Sequence, residues 1–175
     1  MIQIVPGKTN LKELGYSMVG DYTPDDLAPA WDDADDTSAW VLRPEDKKIV
    51  GHIDWAEEPI IKGDIGYYSN PGSRKNCNLD GNDIFLERID IWDRGKGYGT
   101  RIMNKKHADW KSRGFDSVTL FPKSSLSRPG PDTSSDPQVR LLDWYKRQGY
   151  EKSNKCEHQP NCDSSLNCYL TKTLF

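Results

Sequence analysis

Asp83-Ile84-Phe85-Leu86-Glu87-Arg88-Ile89-Asp90-Ile91-Trp92 runs into Asp93-Arg94-Gly95-Lys96-Gly97-Tyr98-Gly99-Thr100, and then into a segment from Arg101 to Arg113 that Gly114 stops. The first part is an apolar run of strand character. The second is a glycine-rich turn and the third reads as a helix. A strand, a tight glycine turn and a helix in that order make an anion site. The glycines let the backbone turn sharply and leave N–H groups clear of any Cβ. The helix start adds unpaired N–H groups and the positive end of its dipole. Arg94, Lys96 and Arg101 add full positive charge. A pyrophosphate is the expected guest.

Spacing excludes two common pyrophosphate loops. A P-loop needs G-x-x-x-x-G-K-[ST], which is absent, and a dinucleotide fingerprint needs G-x-G-x-x-G, whereas the glycines here fall at 95, 97 and 99. Arg94-x-x-Gly97-x-Gly99 after an apolar strand resembles the [Q/R]-x-x-G-x-[G/A] loop of the GNAT superfamily, the acyl-CoA-dependent N-acyltransferases. Further along, Tyr145-Lys146-Arg147-Gln148-Gly149-Tyr150 resembles that family's Y-x-x-x-G-[FY]. Two positions depart from the family pattern: Gln138 stands where Asn is common, and Leu141 where a small residue is common.

The resemblance covers roughly residues 83–174 and implies an α/β (α+β) fold. A central mixed β-sheet would splay open between its fourth and fifth strands, 83–92 and 116–122, with helices flanking it. It also implies acetyl-CoA as co-substrate. The pantetheine would pair with the backbone of Ile89 and Ile91. The pyrophosphate would rest on Arg94, Gly95, Lys96, Gly97, Tyr98, Gly99 and Thr100. Tyr145 would be the general acid at the thioester sulfur; its plainer reading is a core aromatic on the apolar face of a helix. A backbone N–H at or near Ile91 would meet the oxyanion.

A primary amine, whose ordinary pKa is about 10.4, must lose a proton before it attacks. Glu87 is the first candidate base. It shares a strand face with Phe85 and Ile89 and lies two residues before the expected pantetheine contact. Asp90 and Asp83 are alternatives, as are a water chain and a plain salt-bridge role for Glu87 near Arg88 or Arg101.

Length and composition set the frame. The 175 residues suit one domain, 1–175, with 1–82 as an N-terminal half bearing a long insertion at about 56–82, and 83–174 as the cofactor-binding and catalytic half. Apolar residues make up 35% and charged residues 29%, but six Trp and eight Tyr bury large areas. A net charge of −3 argues against a general nucleic-acid binder. No apolar run is long enough for a membrane span and the N-terminus lacks the pattern of a secretory signal, so the expected location is cytoplasmic. A homodimer is among the expected assemblies.

The rest of the chain follows the order β-rich, then β-α-β-α-β-β. Residues 1–5 and 15–20 read as short strands, and 38–43 with 48–55 as an antiparallel hairpin across Pro44-Glu45-Asp46-Lys47. His52 lies in that hairpin as a minor catalytic candidate or a structural residue. Six Asp fall within residues 25–36. They form either a solvated acidic segment, capped by Thr23 with Pro24 next, or a rim that attracts a cationic substrate. Residues 56–82 are irregular, with a candidate strand at 65–68 and basic Arg74 and Lys75. A strand at 116–121 precedes a Ser/Pro-rich stretch, 123–137, which is a connector or a substrate loop. Asp136 would cap a helix over 138–148, Gly149 would end it, and strands would start at Tyr150 and at Cys168.

Cysteine leaves three options. Cys77 stands alone, while Cys156, Cys162 and Cys168 cluster with His158. Free thiols in a reducing compartment are the favoured reading, a disulfide within the cluster is the second, and a zinc site is the third. No metal cofactor is expected.

The expected activity is transfer of an acetyl group to a primary amine of a cationic acceptor: protein lysine or N-terminus, polyamine, or aminoglycoside-like small molecule. The alternatives are a non-catalytic CoA-binding or protein-interaction module on the same fold, and a small zinc-stabilised interaction domain.

Overall fold

A computed structural model describes residues 1–20, 37–57, 59, 76–122, 137–157 and 168–175, with the side chains of 137–140 excepted. The expectations for the acidic segment 21–36, the strand at 65–68, Arg74 and Lys75, the stretch 123–136, His158 and Cys162 lie outside the described residues.

Among the described residues the strands are β1 (Gln3–Pro6), β2 (Ser17–Met18), β3 (Ser38–Arg43), β4 (Lys48–Ala56), β5 (Asp83–Ile91), β6 (Ser117–Leu120), β7 (Glu151–Lys152) and β8 (Leu170–Thr173). The helices are α1 (Tyr98–Ser112) and α2 (Pro137–Arg147). The sheet order is β1-β3-β4-β5-β6-β8-β7, with β2 alongside β4. It is mixed: β5 and β6 run parallel, as do β2 and β4, while β3–β4 and β6–β8 are antiparallel. The expected α/β mixed sheet with flanking helices is therefore present. The register of β5 with β6 runs from Asp83↔Ser117 to Leu86↔Leu120 and stops there, four pairs into a nine-residue strand.

The chain divides into two compact units. The first holds Met1–Trp55 and Glu87–Asn104. Its hairpin forms as expected: the turn closes with Lys47 N–H donating to the Pro44 carbonyl at 3.3 Å, with Lys47 itself at φ 53°. All but the last residue of β3 are buried, as in a strand covered on both faces. A bulge leaves Val50 as the extra residue on β4, between the pairs Val41↔Gly51 and Leu42↔Ile49. Val50 uses its carbonyl to accept the Trp92 N–H at 2.9 Å, which pins the chain just past β5. Gly51 is needed here, since a Cβ would lie 2.7 Å from the Asp90 carbonyl oxygen. The core packs Leu11, Met18, Trp40, Leu42 and Ile49 with Val5, Tyr16 and Trp92.

The second unit holds Ala56–Leu86 and Lys105–Phe175. Its core includes Cys77, Leu79, Phe85 and Tyr169, with Ala56, Phe121 and Cys156 against them. Both helices end here in the same way. Phe115 N–H donates to the Trp110 carbonyl and Gly114 N–H to that of Lys111, both at 3.0 Å; Tyr150 N–H donates to Tyr145 at 3.2 Å and Gly149 N–H to Lys146 at 3.0 Å. Gly114 and Gly149 sit at φ 92° and 93°, as a Schellman cap requires. The Y-x-x-x-G-[FY] resemblance thus has a local physical basis: it is a helix cap whose outer residues, Tyr145 and Tyr150, also meet ring to ring at 5.4 Å.

The cysteine expectation needs correction. Cys77 does not stand alone but is disulfide-bonded to Cys156, 79 residues away, and Cys168 is disulfide-bonded as well. A backbone bridge holds the first pair, with Asn78 N–H donating to the Lys155 carbonyl and Glu157 N–H to that of Asn76, both at 2.8 Å. Free thiols are therefore overturned for these three residues. Disulfides are characteristic of oxidising compartments, so thiol chemistry lends the cytoplasmic expectation no support. The zinc alternative loses Cys156 and Cys168, whose sulfurs are not thiolates. No helix of the described residues is long and apolar enough to cross a membrane.

Candidate functional site

The glycine turn takes the shape that its residues ask for. Gly95 and Gly97 lie in the left-handed region at φ 81° and 74°. Helix α1 starts at Tyr98, three residues before the expected Arg101, because the Gly97 carbonyl already accepts the Arg101 N–H at 3.2 Å. The N–H groups of Tyr98, Gly99 and Thr100 precede that first intrahelical bond. A Cβ built on Gly97 meets nothing within 4 Å, so open space faces the turn. Arg94, Lys96, Gly95, Gly97 and Thr100 are exposed, whereas Tyr98 is buried. Left-handed glycines, a helix start and exposed basic side chains fit a diphosphate group.

The turn also carries an ion-pair network. Asp93 Oδ2 accepts from Lys96 Nζ at 2.8 Å and from Arg43 Nη1. Arg43 reaches Asp46 with Nε at 2.9 Å and Nη2 at 2.8 Å, and its Nη1 also donates to the Tyr98 hydroxyl at 3.3 Å. Lys96 holds the Asp93 carboxyl below its ordinary pKa, burial opposes this, and Arg43 adds to the lowering. The guanidinium of Arg43 is in turn held more strongly protonated by Asp46, Tyr98 and Asp93. Asp93, Arg43 and Asp46 are neighbours of this turn that its run of positive charges does not reveal.

The three candidate carboxylates on β5 have different environments. Glu87 is exposed, in the first unit. Asp90, in the same unit, is half-buried and pairs with Arg88 Nε at 2.9 Å. Burial raises its pKa, against the opposing charges of Arg88 and Arg94. Asp83, in the second unit, is buried, with Ser117 Oγ donating at 2.5 Å, Lys155 Nζ at 2.6 Å and the Asp80 N–H at 3.0 Å. Burial would raise its pKa, but the Lys155 and Ser117 bonds bring it below the ordinary value. Asp83 is thus committed to structure and is a poor base. Ile89 and Ile91 are half-buried.

His52 is fully buried, edge-on to Trp40 at 4.9 Å, with its pKa lowered to about 3 by burial and then by Arg88. It is a neutral packing residue, as its plainer reading held.

Tyr145 is 5% exposed and packs edge-on against Trp144 at 4.8 Å and Tyr150 at 5.4 Å. Beside it lies a pair that the sequence reading missed. His107 Nε2 and the Tyr150 hydroxyl are hydrogen-bonded at 2.7 Å in a buried setting. Burial, then the charge of Lys172, lowers the His107 pKa to about 4. Burial raises that of Tyr150 well above its ordinary value. Both side chains are neutral partners at physiological pH.

Neither any family model nor any curated protein sequence matches the chain. Solved structures do. A GNAT-family acetyltransferase from Staphylococcus aureus aligns over 100% of both chains at 14% identity and a TM-score of 0.55. An aminoglycoside 6'-N-acetyltransferase complexed with coenzyme A aligns over 100% of this chain and 97% of its own, at 15% identity and 0.53. The ribosomal-protein-S18-alanine N-acetyltransferase from Escherichia coli aligns over 99% and 94%, at 10% identity and 0.52. The chain has the fold of the GNAT acetyltransferases. The resemblance read from Arg94-x-x-Gly97-x-Gly99 and from Tyr145 to Tyr150 therefore holds at the level of the fold.

Proposed function

We propose that residues 1–175 form one acyltransferase domain that moves an acetyl group from acetyl-CoA to a primary amine of a cationic acceptor. Protein lysine, a protein N-terminus, a polyamine or an aminoglycoside-like molecule fits that description. One observation carries the reading: the left-handed Gly95 and Gly97 lead into a helix start at Tyr98, with basic side chains exposed around it. That arrangement supports binding of the CoA diphosphate by Arg94, Gly95, Lys96, Gly97, Tyr98, Gly99 and Thr100. Ile89 and Ile91 are proposed to pair with the pantetheine.

In this reading the amine attacks the thioester directly. Glu87, exposed on β5, is proposed as the base; Asp90, whose burial raises its pKa, is the second candidate. Tyr145 is proposed to give its phenolic proton to the departing thiolate, so that CoA leaves as the free thiol, and to regain a proton from solvent, while the base gives up to solvent the proton it took from the amine. Thiol release from acetyl-CoA with pooled amines and peptides tests the activity. Tyr145→Phe is expected to lower kcat about 100-fold while CoA affinity stays within about twofold. Equal turnover would remove Tyr145 from the acid role.

A second reading is a CoA-binding module without turnover. The burial of Tyr145 inside a helix-cap aromatic cluster favours it. CoA binding with no thiol release across the acceptor panel would select it.

A further inference from the structure

Arg43 lies at the end of β3, outside every motif that points to the diphosphate. We propose that it is a positioning residue for the glycine turn, balancing the charge of Asp93 so that Lys96 is released to the incoming diphosphate; this rests on the cofactor reading above.

The geometry is that of a two-sided clamp within the first unit. One edge of the guanidinium is fixed by Asp46 in the β3–β4 turn, through Nε at 2.9 Å and Nη2 at 2.8 Å. The remaining nitrogen, Nη1, reaches the glycine turn at Asp93 and at the Tyr98 hydroxyl, 3.3 Å away. Asp93 in turn holds Lys96 through the same oxygen atom, Oδ2, at 2.8 Å. Asp93 and Tyr98 therefore hang directly on one planar group that is itself anchored, and Lys96 hangs on it through Asp93. Arg43 and Asp93 are 19% and 20% exposed, against 52% for Lys96, so the inner pair is held against the protein and the outer ammonium is wet.

The charges give the clamp a second task. Asp93 is a carboxylate at the mouth of an anion site, and left alone it would repel a diphosphate. Two cations share it. When Lys96 turns to a phosphate oxygen, Arg43 stays on Asp93, and no bare carboxylate faces the ligand. Without Arg43, Asp93 has Lys96 as its one remaining partner in this network. Lys96 must then choose between the carboxylate and the ligand, and either choice weakens binding. Lysine at position 43 cannot replace the arginine, because a single ammonium lacks the fork that spans Asp46 and Asp93 at once.

The test is titration calorimetry with coenzyme A on the full chain, together with the KM for acetyl-CoA. Arg43→Met is expected to weaken coenzyme A binding at least about tenfold and to raise KM in step, with kcat at saturation within about twofold. Removing the carboxylate as well, in Arg43→Met with Asp93→Asn, is expected to recover affinity to within about threefold of the unaltered chain. Thermal unfolding of both variants separates this from a purely structural role: recovery of affinity with an unshifted transition in Arg43→Met is the decisive sign, and a loss of affinity that only follows a loss of folded protein overturns the proposal. Unchanged affinity in Arg43→Met overturns the proposal. So does a double variant that binds no better than Arg43→Met. If the unaltered chain itself fails to bind coenzyme A, the cofactor reading falls and the inference with it, which separates the two failures.

Discussion

The two compact units place their most connected polar groups in opposite settings. In the first, Arg43, Asp46, Asp93 and Lys96 form a chain of ion pairs that runs out to a half-exposed ammonium beside a glycine turn. In the second, Asp83 is held by Ser117 and Lys155, His107 by Tyr150, and Cys77 by Cys156, each anchored on at least one buried residue. Exposed ion pairs are weak and exchange partners at little cost. Buried polar groups are costly to separate, because a lost partner leaves a desolvated group unpaired. The proposed binding of a diphosphate, which would trade internal partners for a ligand's oxygens, calls for the first kind. A scaffold that must keep one geometry suits the second.

Three experiments test this contrast. The largest effect is expected from the covalent link. Cys77→Ala with Cys156→Ala removes a crosslink spanning 79 residues. It should lower stability by about 2–4 kcal/mol. Thermal unfolding of the variant, and of the unaltered chain with and without reductant, checks this. An unshifted transition would mean that the second unit does not depend on this crosslink.

Next comes the glycine turn. Gly97→Glu places a carboxylate where the diphosphate is expected and is predicted to weaken coenzyme A binding at least about 100-fold. Gly97→Asn is the control. Asn tolerates the left-handed φ of 74°, and a Cβ there meets nothing within 4 Å, so it should keep most of the affinity. Equal loss in both variants would point to backbone strain and not to charge.

The smallest effect concerns pH. The folded pKa of His107, about 4, lies below the ordinary His value, so the unfolded chain takes up the proton first. Its contribution is therefore complete above about pH 6.5 and is lost as pH falls from there toward 4. His107→Gln should remove roughly 1–2 kcal/mol of the stability difference between pH 7 and pH 5, as read by urea denaturation at the two pH values. His52, lowered to about 3, contributes over the same range in the first unit and remains in the variant. Asp83 acts lower still. Its depressed pKa stabilises the fold above the ordinary Asp value, and that stability is lost as pH falls through the folded one.

Much of this was legible where the controlling residues are neighbours in the chain. The strand-turn-helix of residues 83–113 follows from apolar runs and glycine spacing, and the structure moved the helix start by three residues and the strand and helix ends by one each. Gly114 and Gly149 announced both helix ends because a left-handed cap needs glycine at that one position. The carboxylates on β5 were a different matter. Their types and alternation were readable, and so was Arg88 as a near neighbour, but the burial of each and the partners of Asp83, Ser117 and Lys155, are set only once the fold brings distant segments together. Asp93 could have been noticed as an acid set directly against the basic turn. Its second partner could not.

What depends on short-range chemistry was written in the chain: the order of strands and helices, the left-handed glycines, the glycine helix caps and the basic character of residues 94–101. Three pairings arise only in the folded chain: Arg43 reaches Asp93 across 50 positions, Cys77 bonds to Cys156 across 79, and His107 and Tyr150 share a buried hydrogen bond. The reason is physical. Local conformation is governed by sterics and hydrogen bonds among adjacent residues, whereas a distant pairing exists only once the chain has closed its loops and taken the partners out of water.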